Sequence, residues 1–173
     1  MQAIIIPPFL DHLKVDARGY PIPFFVPYID GKPDFRFVTA EKIHLCVEKK
    51  LCGICGKKLF EFSYFCTGPV GLQSGSHSDP PAHKQCLEYA LKTCPHLVFE
   101  KTTRNERGEL YKELREQDFV GIETKPKEFY LIKADKFKLV TLPHGQDILT
   151  FRKVSWEKYT YQDGTLQKEM VNG

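Results

Sequence analysis

Two short spacings constrain this chain more than any other feature. Cys52 and Cys55 lie three positions apart in "LCGICGKKL", and His83 and Cys86 repeat the spacing in "PPAHKQC", with 27 residues between the pairs. Thiolates and imidazoles bind Zn²⁺ tetrahedrally, and ligands three positions apart reach one ion from a tight turn or from one helical turn. Gly53 and Gly56 permit a sharp knuckle at the first pair. Pro80 and Pro81 open a helix at the second pair, placing Cys86 in its first turn, where the helix dipole favours a thiolate. A closed set of four ligands dictates the local path of the chain before any apolar core is considered.

Two other readings of the cysteines compete. Buried thiols can fall into a single Cys-x2-Cys pair by chance, but two pairs in this structural order are a stronger signal. A thioredoxin-like redox pair needs strand, Cys-x2-Cys and helix in succession, whereas here a strand pattern follows the pair. Cys46, Cys66 and Cys94 sit on apolar faces and read as packing thiols. Three thiolates and a neutral imidazole around Zn²⁺ leave a net negative charge. Lys49, Lys50, Lys57, Lys58 and Lys84 either offset it or form a small phosphate-binding patch.

The rest of the chain reads as α+β, without βαβ alternation or a long repeat. Residues 20–38 are rich in Pro, Phe and Tyr, which forbids a helix and predicts an N-terminal β-ribbon with a hairpin turn at Asp30-Gly31. Thr39 is an N-cap for an amphipathic helix over 40–50, carrying Ile43, Cys46 and Val47. "LFEFSYFCT" alternates as a strand with Phe60, Phe62, Tyr64 and Cys66 on one face, and "GPVGLQSGSHSDPP" reads as a long polar loop. The helix after Pro81 carries Cys86, Leu87, Ala90, Leu91 and Cys94 on one stripe and stops at Pro95. "GELYKELREQ" reads as an exposed helix. Antiparallel strands "EFYLIKA", "KFKLVTL", "ILTF" and "VSWEKYTY" follow, with turns at Ala134-Asp135, His144-Gly145 and Asp163-Gly164. The division is residues 1–100, ribbon plus zinc module, and 101–173, helix and strands, packed into one globule.

Composition narrows the function classes. The hydrophobic share of 42% and charged share of 27% are those of a soluble globular chain, and no stretch approaches ~20 apolar residues. Pro7-Pro8 interrupts the apolar start and no basic segment precedes it, so the expectation is a cytoplasmic protein with reduced cysteines. A net charge of +3, without a basic arm or acidic tail, gives little long-range attraction to nucleic acid or membrane. The many Phe and Tyr residues belong to the core or to a binding face, for which Tyr20, Phe24, Phe25 and Tyr28 are the candidates.

The order knuckle, strand, helix over residues 51–95 resembles the treble-clef zinc finger, with Cys52, Cys55, His83 and Cys86 in its ligand slots. The combination of "RGYPIPFFVPYIDGKPDFR", "LCGICGKKL" and "SDPPAHKQCLEYALKTCP" further resembles a family of small uncharacterised proteins of bacteriophages and prophages. That resemblance implies a phage-encoded protein of the host cytoplasm and no particular activity.

Three functions are compatible with these residues. A zinc-stabilised binding protein would act on a host protein or nucleic acid, in the phage setting against a host factor or defence system. Its four protein ligands leave no open position for a catalytic water. A metal-dependent His-Asn-His-type nuclease would need a histidine at a strand end and more ligands on the helix. Only His77 is near, and the helix offers Gln85 and Glu88. His77 and Asp79 beside Ser76 and Ser78 are neighbours in one loop, not a converging triad. The third function is DNA or RNA binding by the finger itself, although no groove-reading pattern is present.

Overall fold

The computed structural model describes residues 4–35, 38–94, 97, 128–162 and 165–169. Its strands are β1 (Tyr28–Ile29), β2 (Lys32–Pro33), β3 (Ser63–Thr67), β4 (Ser76–His77), β5 (Glu128–Thr141), β6 (Asp147–Gln162) and β7 (Thr165–Glu169). Its helices are α1 (Ala40–Glu48), α2 (Pro69–Ser74) and α3 (Lys84–Thr93). Mixed helix and antiparallel sheet is the architecture expected of the sequence.

Local chemistry sets several of these boundaries. The Thr39 hydroxyl accepts from the Lys42 amide at 3.4 Å and starts α1, which ends two residues before Lys50 takes a positive φ of 50°. Asp30 (φ 50°) and Gly31 (φ 75°) form the two-residue turn that joins β1 to β2. Among the described residues, β1 and β2 pair only at Tyr28–Pro33 and Ile29–Lys32, so the ribbon expected over 20–38 is seen there as a hairpin tip.

The main sheet runs β3-β5-β6-β4, with β7 also on β6, and every pairing is antiparallel. Both faces of β5 are buried in its first half, over Phe129–Ile132. Tyr130, Ile132 and Ala134 meet Phe65, Ile43 of α1 and Leu72 of α2 on one face. Phe129 and Leu131 meet Leu91 of α3 and Tyr159 on the other. The turn expected at Ala134-Asp135 is instead a bulge: the register shifts between Lys133 and Lys136 and the strand continues to Thr141. The extra residue reverses the inward parity from Ala134 to Phe137 and Leu139, which all join the same cluster. Asp135 swings out to pair with Arg152 of β6, Nε to Oδ1 at 2.9 Å. "ILTF" and "VSWEKYTY" are likewise one strand, β6.

Two further expectations are corrected. The face of β3 is opposite to the one predicted: Ser63, Phe65 and Thr67 are buried, while Phe60 precedes the strand and is 75% exposed. Cys66 contacts the α3 side, so both faces of β3 are covered and alternation could not show which points to the larger core. The 68–81 loop holds α2 and β4. Pro69 starts α2, and Gly75 closes it in the left-handed region (φ 69°), its amide donating to the Gly71 carbonyl. The helix expected within 101–118 and the turn at Asp163-Gly164 lie outside the described residues. Among the described residues, no helix is long and apolar enough to cross a membrane.

Candidate metal centre

Three segments build the site. Before the knuckle, the chain leaves α1 and turns back on itself: the Leu59 amide donates to the Lys50 carbonyl and the Cys52 amide to the Lys57 carbonyl, both at 2.8 Å. Gly56 sits at φ 71° with its α-carbon against the Phe24 ring, where an added Cβ would lie 3.0 Å from Cδ2. Gly53 serves by close approach, since a Cβ there would lie 2.8 Å from the Pro80 Cβ. The second segment, 80–86, is fastened to the first by the Gly53 amide on the Pro81 carbonyl at 2.8 Å. It is also held to β3 by reciprocal Tyr64–Ala82 bonds of 2.9 Å. These bonds place His83 at the N-cap of α3 and Cys86 in its first turn.

Four donor atoms converge as a result. The ligand atoms of Cys52, Cys55, His83 and Cys86 all lie within 4.8 Å of one another, and all four residues are buried. A tetrahedral zinc with bonds of about 2.0–2.3 Å has ligand separations of about 3.3–3.8 Å. His83 Nδ1 lies 3.3 Å from Cys55 Sγ and 3.9 Å from Cys86 Sγ. The cluster is therefore positioned to bind a metal ion.

The surroundings select the state of each donor. His83 Nε2 is 2.9 Å from the Lys58 carbonyl, an acceptor only, so that nitrogen carries the proton and Nδ1 presents its lone pair to the sulfurs. The amides of Cys55 and His83 donate to Cys52 Sγ at 3.5 and 3.4 Å. Hydrogen bonds from the Cys52 and Cys86 thiols hold Cys55 far below the ordinary thiol range, while the Cys52 and Cys55 sulfurs push Cys86 far above it. Three sulfurs at this distance can all be thiolates only if a cation offsets their mutual repulsion.

The third segment is the N-terminal coil. Leu10, fully buried, joins Cys52, Ile54, Cys55, Ala82 and Cys86 in one cluster. The amides of Phe24 and Phe25 donate to the carbonyls of Ile54 and Gly53 at 2.8 and 2.9 Å. His12 Nε2 lies 2.9 Å from the Cys55 carbonyl. Sequence inspection missed His12, which no spacing links to the ligands, and Phe60, whose ring centroid lies 4.6 Å from that of His83.

The remaining candidates are dispersed. Lys49, Lys50 and Lys57 are exposed, and Lys58 Nζ donates to the Lys49 carbonyl at 2.8 Å. Lys84 turns from the sulfurs to Glu157 of β6, at 2.6 Å. Phe24 and Phe25 are half-buried against the knuckle, Tyr20 is half-buried 5.3 Å below the Arg18 guanidinium, and Tyr28 is 50% exposed at the hairpin tip. His77 lies 3.5 Å from Asp79, outside the four-ligand cluster. Cys46, Cys66 and Cys94 are outside it too. Burial pushes the Cys46 thiol up to about 11 and the Cys66 thiol up to about 12. No family model, curated protein or solved structure matches the chain, so the resemblances to treble clefs and to phage proteins gain no support from comparison and the metal centre stands on its own geometry.

Proposed function

We propose that this chain is a zinc-stabilised binding protein: a treble-clef-type module whose metal serves structure, acting on a host protein or a nucleic acid. The observation that carries the proposal is the closure of the site. All four donors come from buried side chains, which leaves no position for a reacting water. Soft thiolates with one imidazole suit zinc rather than magnesium or calcium, which take oxygen donors. The knuckle, then β3, then ligands at the start of α3 supports the treble-clef description. Exposed Lys49, Lys50 and Lys57, with exposed Phe60 nearby in sequence, supply a basic and aromatic surface for a partner. The direction toward a host factor rests on the phage-family resemblance.

The test has two parts. Elemental analysis of the purified chain is expected to give about one zinc per chain, and substituting Cys52 or Cys86 by Ser is expected to lose it. Binding is then followed with defined DNA and RNA in a salt titration and with host proteins by cross-linking, comparing the native chain with a Lys49/Lys50/Lys57→Glu variant. Loss of the partner in that variant supports the proposal. Cleavage of plasmid with Mg²⁺ or Mn²⁺, abolished by His77→Ala, would overturn it in favour of a nuclease.

A further inference from the structure

Between the N-terminal coil, the 77–82 stretch and α3 lies a cavity of about 480 Å³. Small-molecule sites commonly measure about 300–1,000 Å³. Its wall is mainly apolar and aromatic, with Leu10, Tyr20, Phe25, Phe35 and Leu87 contributing.

Polar groups interrupt that wall at few points. Tyr89 of α3 lines the cavity; its buried hydroxyl has the Thr93 side chain beside it but makes no hydrogen bond of full geometry among the described residues. Such a group is costly to bury and is relieved by a ligand that bonds to it. Asp79 also lines the cavity, its Oδ2 3.5 Å from His77 Nε2, longer than a full-strength hydrogen bond. The Asp79 side chain is half-exposed, and although partial burial pushes its carboxyl up, the nearby His77 ring and Ser78 hydroxyl outweigh it and hold the group below its ordinary value. It is therefore a carboxylate at neutral pH with acceptor capacity to spare.

The other charges facing the cavity are matched. Arg18 supplies the one guanidinium in the wall, and no lysine lines it among the described residues. Its Nη2 pairs with Asp16 at 2.7 Å, and the group lies 5.3 Å from the Tyr20 ring centroid and 5.7 Å from that of Phe35. Aromatic faces in this wall thus already accommodate a cation. Cys66, with its thiol pushed up by burial, is neutral.

We propose that this cavity binds a small arylalkylamine, the ammonium group on Asp79, the ring against the aromatic wall and a polar ring substituent on the Tyr89 hydroxyl. The cavity shares no ligand with the metal centre. An anionic ligand is disfavoured by the carboxylate, and a purely aliphatic one leaves the hydroxyl unpaired.

The matched probes are tyramine, phenethylamine, 4-hydroxyphenylacetate and p-cresol, titrated into the zinc-loaded full chain and followed by methyl resonances of Leu10, Leu87 and Ala90. Tyramine is expected to bind most tightly. Phenethylamine should be weaker by roughly threefold to tenfold and 4-hydroxyphenylacetate by more than about tenfold, the scale of a neutral and a charge-assisted hydrogen bond respectively. Asp79→Asn should weaken tyramine and leave p-cresol unchanged, and Tyr89→Phe should bring tyramine to the level of phenethylamine. Ala90→Met, which narrows the cavity, should weaken all four without loss of zinc. Because the probe series is measured on the native chain, a variant that fails to fold does not rescue the idea. Absence of shifts at millimolar probe, or a binding order indifferent to charge, overturns it.

Discussion

His83 Nε2 lies 2.9 Å from the Lys58 carbonyl, so the knuckle carrying the first cysteine pair also sets the tautomer of the histidine in the second. Metal-facing Nδ1 and backbone-facing Nε2–H follow from that contact. The expected signature is a ring nitrogen spectrum with a protonated Nε2 and a metal-bound Nδ1. His83→Cys, which keeps a soft donor, should retain one zinc per chain. His83→Ala should lower zinc affinity by more than the ~10–100-fold typical of outer-shell changes.

Metal removal should be felt at a distance in sequence. Structural zinc contributes on the order of 10 kcal/mol to folding in small fingers. The Phe24 and Phe25 amides are bonded to carbonyls within the knuckle, at Ile54 and Gly53. A strong chelator is expected to abolish hydrogen-exchange protection at those two amides and to lower the melting temperature. Unchanged protection would separate the N-terminal coil from the metal.

Two glycines distinguish backbone cost from crowding. Gly31 and Gly56 both have positive φ, 75° and 71°, but a Cβ at Gly31 meets nothing within 4 Å, while one at Gly56 meets the Phe24 ring. Gly31→Ala should cost about 1–2 kcal/mol, the left-handed penalty alone. Gly56→Ala should cost about 2–4 kcal/mol, because overpacking adds to it. Urea midpoints of the two variants make the comparison.

Glu157 ties the metal-bearing helix to the sheet, accepting from Lys84 at 2.6 Å and pairing with Lys168 at 3.1 Å. Burial pushes its carboxyl up, but hydrogen bonds from Lys84, Lys168 and Tyr159 outweigh it and leave the group below its ordinary value. A carboxyl depressed on folding contributes stability above its unfolded value, about 4.3 for Glu, and loses it as pH falls through the lower folded value. Glu157→Gln should therefore be less stable by roughly 1 kcal/mol near neutrality, given partial exposure. The gap to the native chain should close as pH drops below about 4. A gap independent of pH would assign the effect to packing.

Much of the site is legible in the sequence itself. Cys52, Cys55, His83 and Cys86 declare themselves by spacing, because ligands three apart are a local geometric requirement. Asp30-Gly31 and Thr39 declare a turn and a cap for the same reason: each depends on the conformation of a few adjacent residues. What the sequence could not determine was non-local. Alternation in β3 was ambiguous because helices cover both sides of the sheet, so Phe65 and Cys66 are both in contact with a core. The continuity of β5 through Ala134-Asp135 depends on β6 accepting a bulge, which no property of those two residues announces. The cavity that brings Asp79 and Tyr89 into one wall exists only when the N-terminal coil lies over α3. Short-range sterics and ligand spacing are written in neighbouring residues, whereas face, register and enclosure are decided by the surfaces that meet when the chain folds.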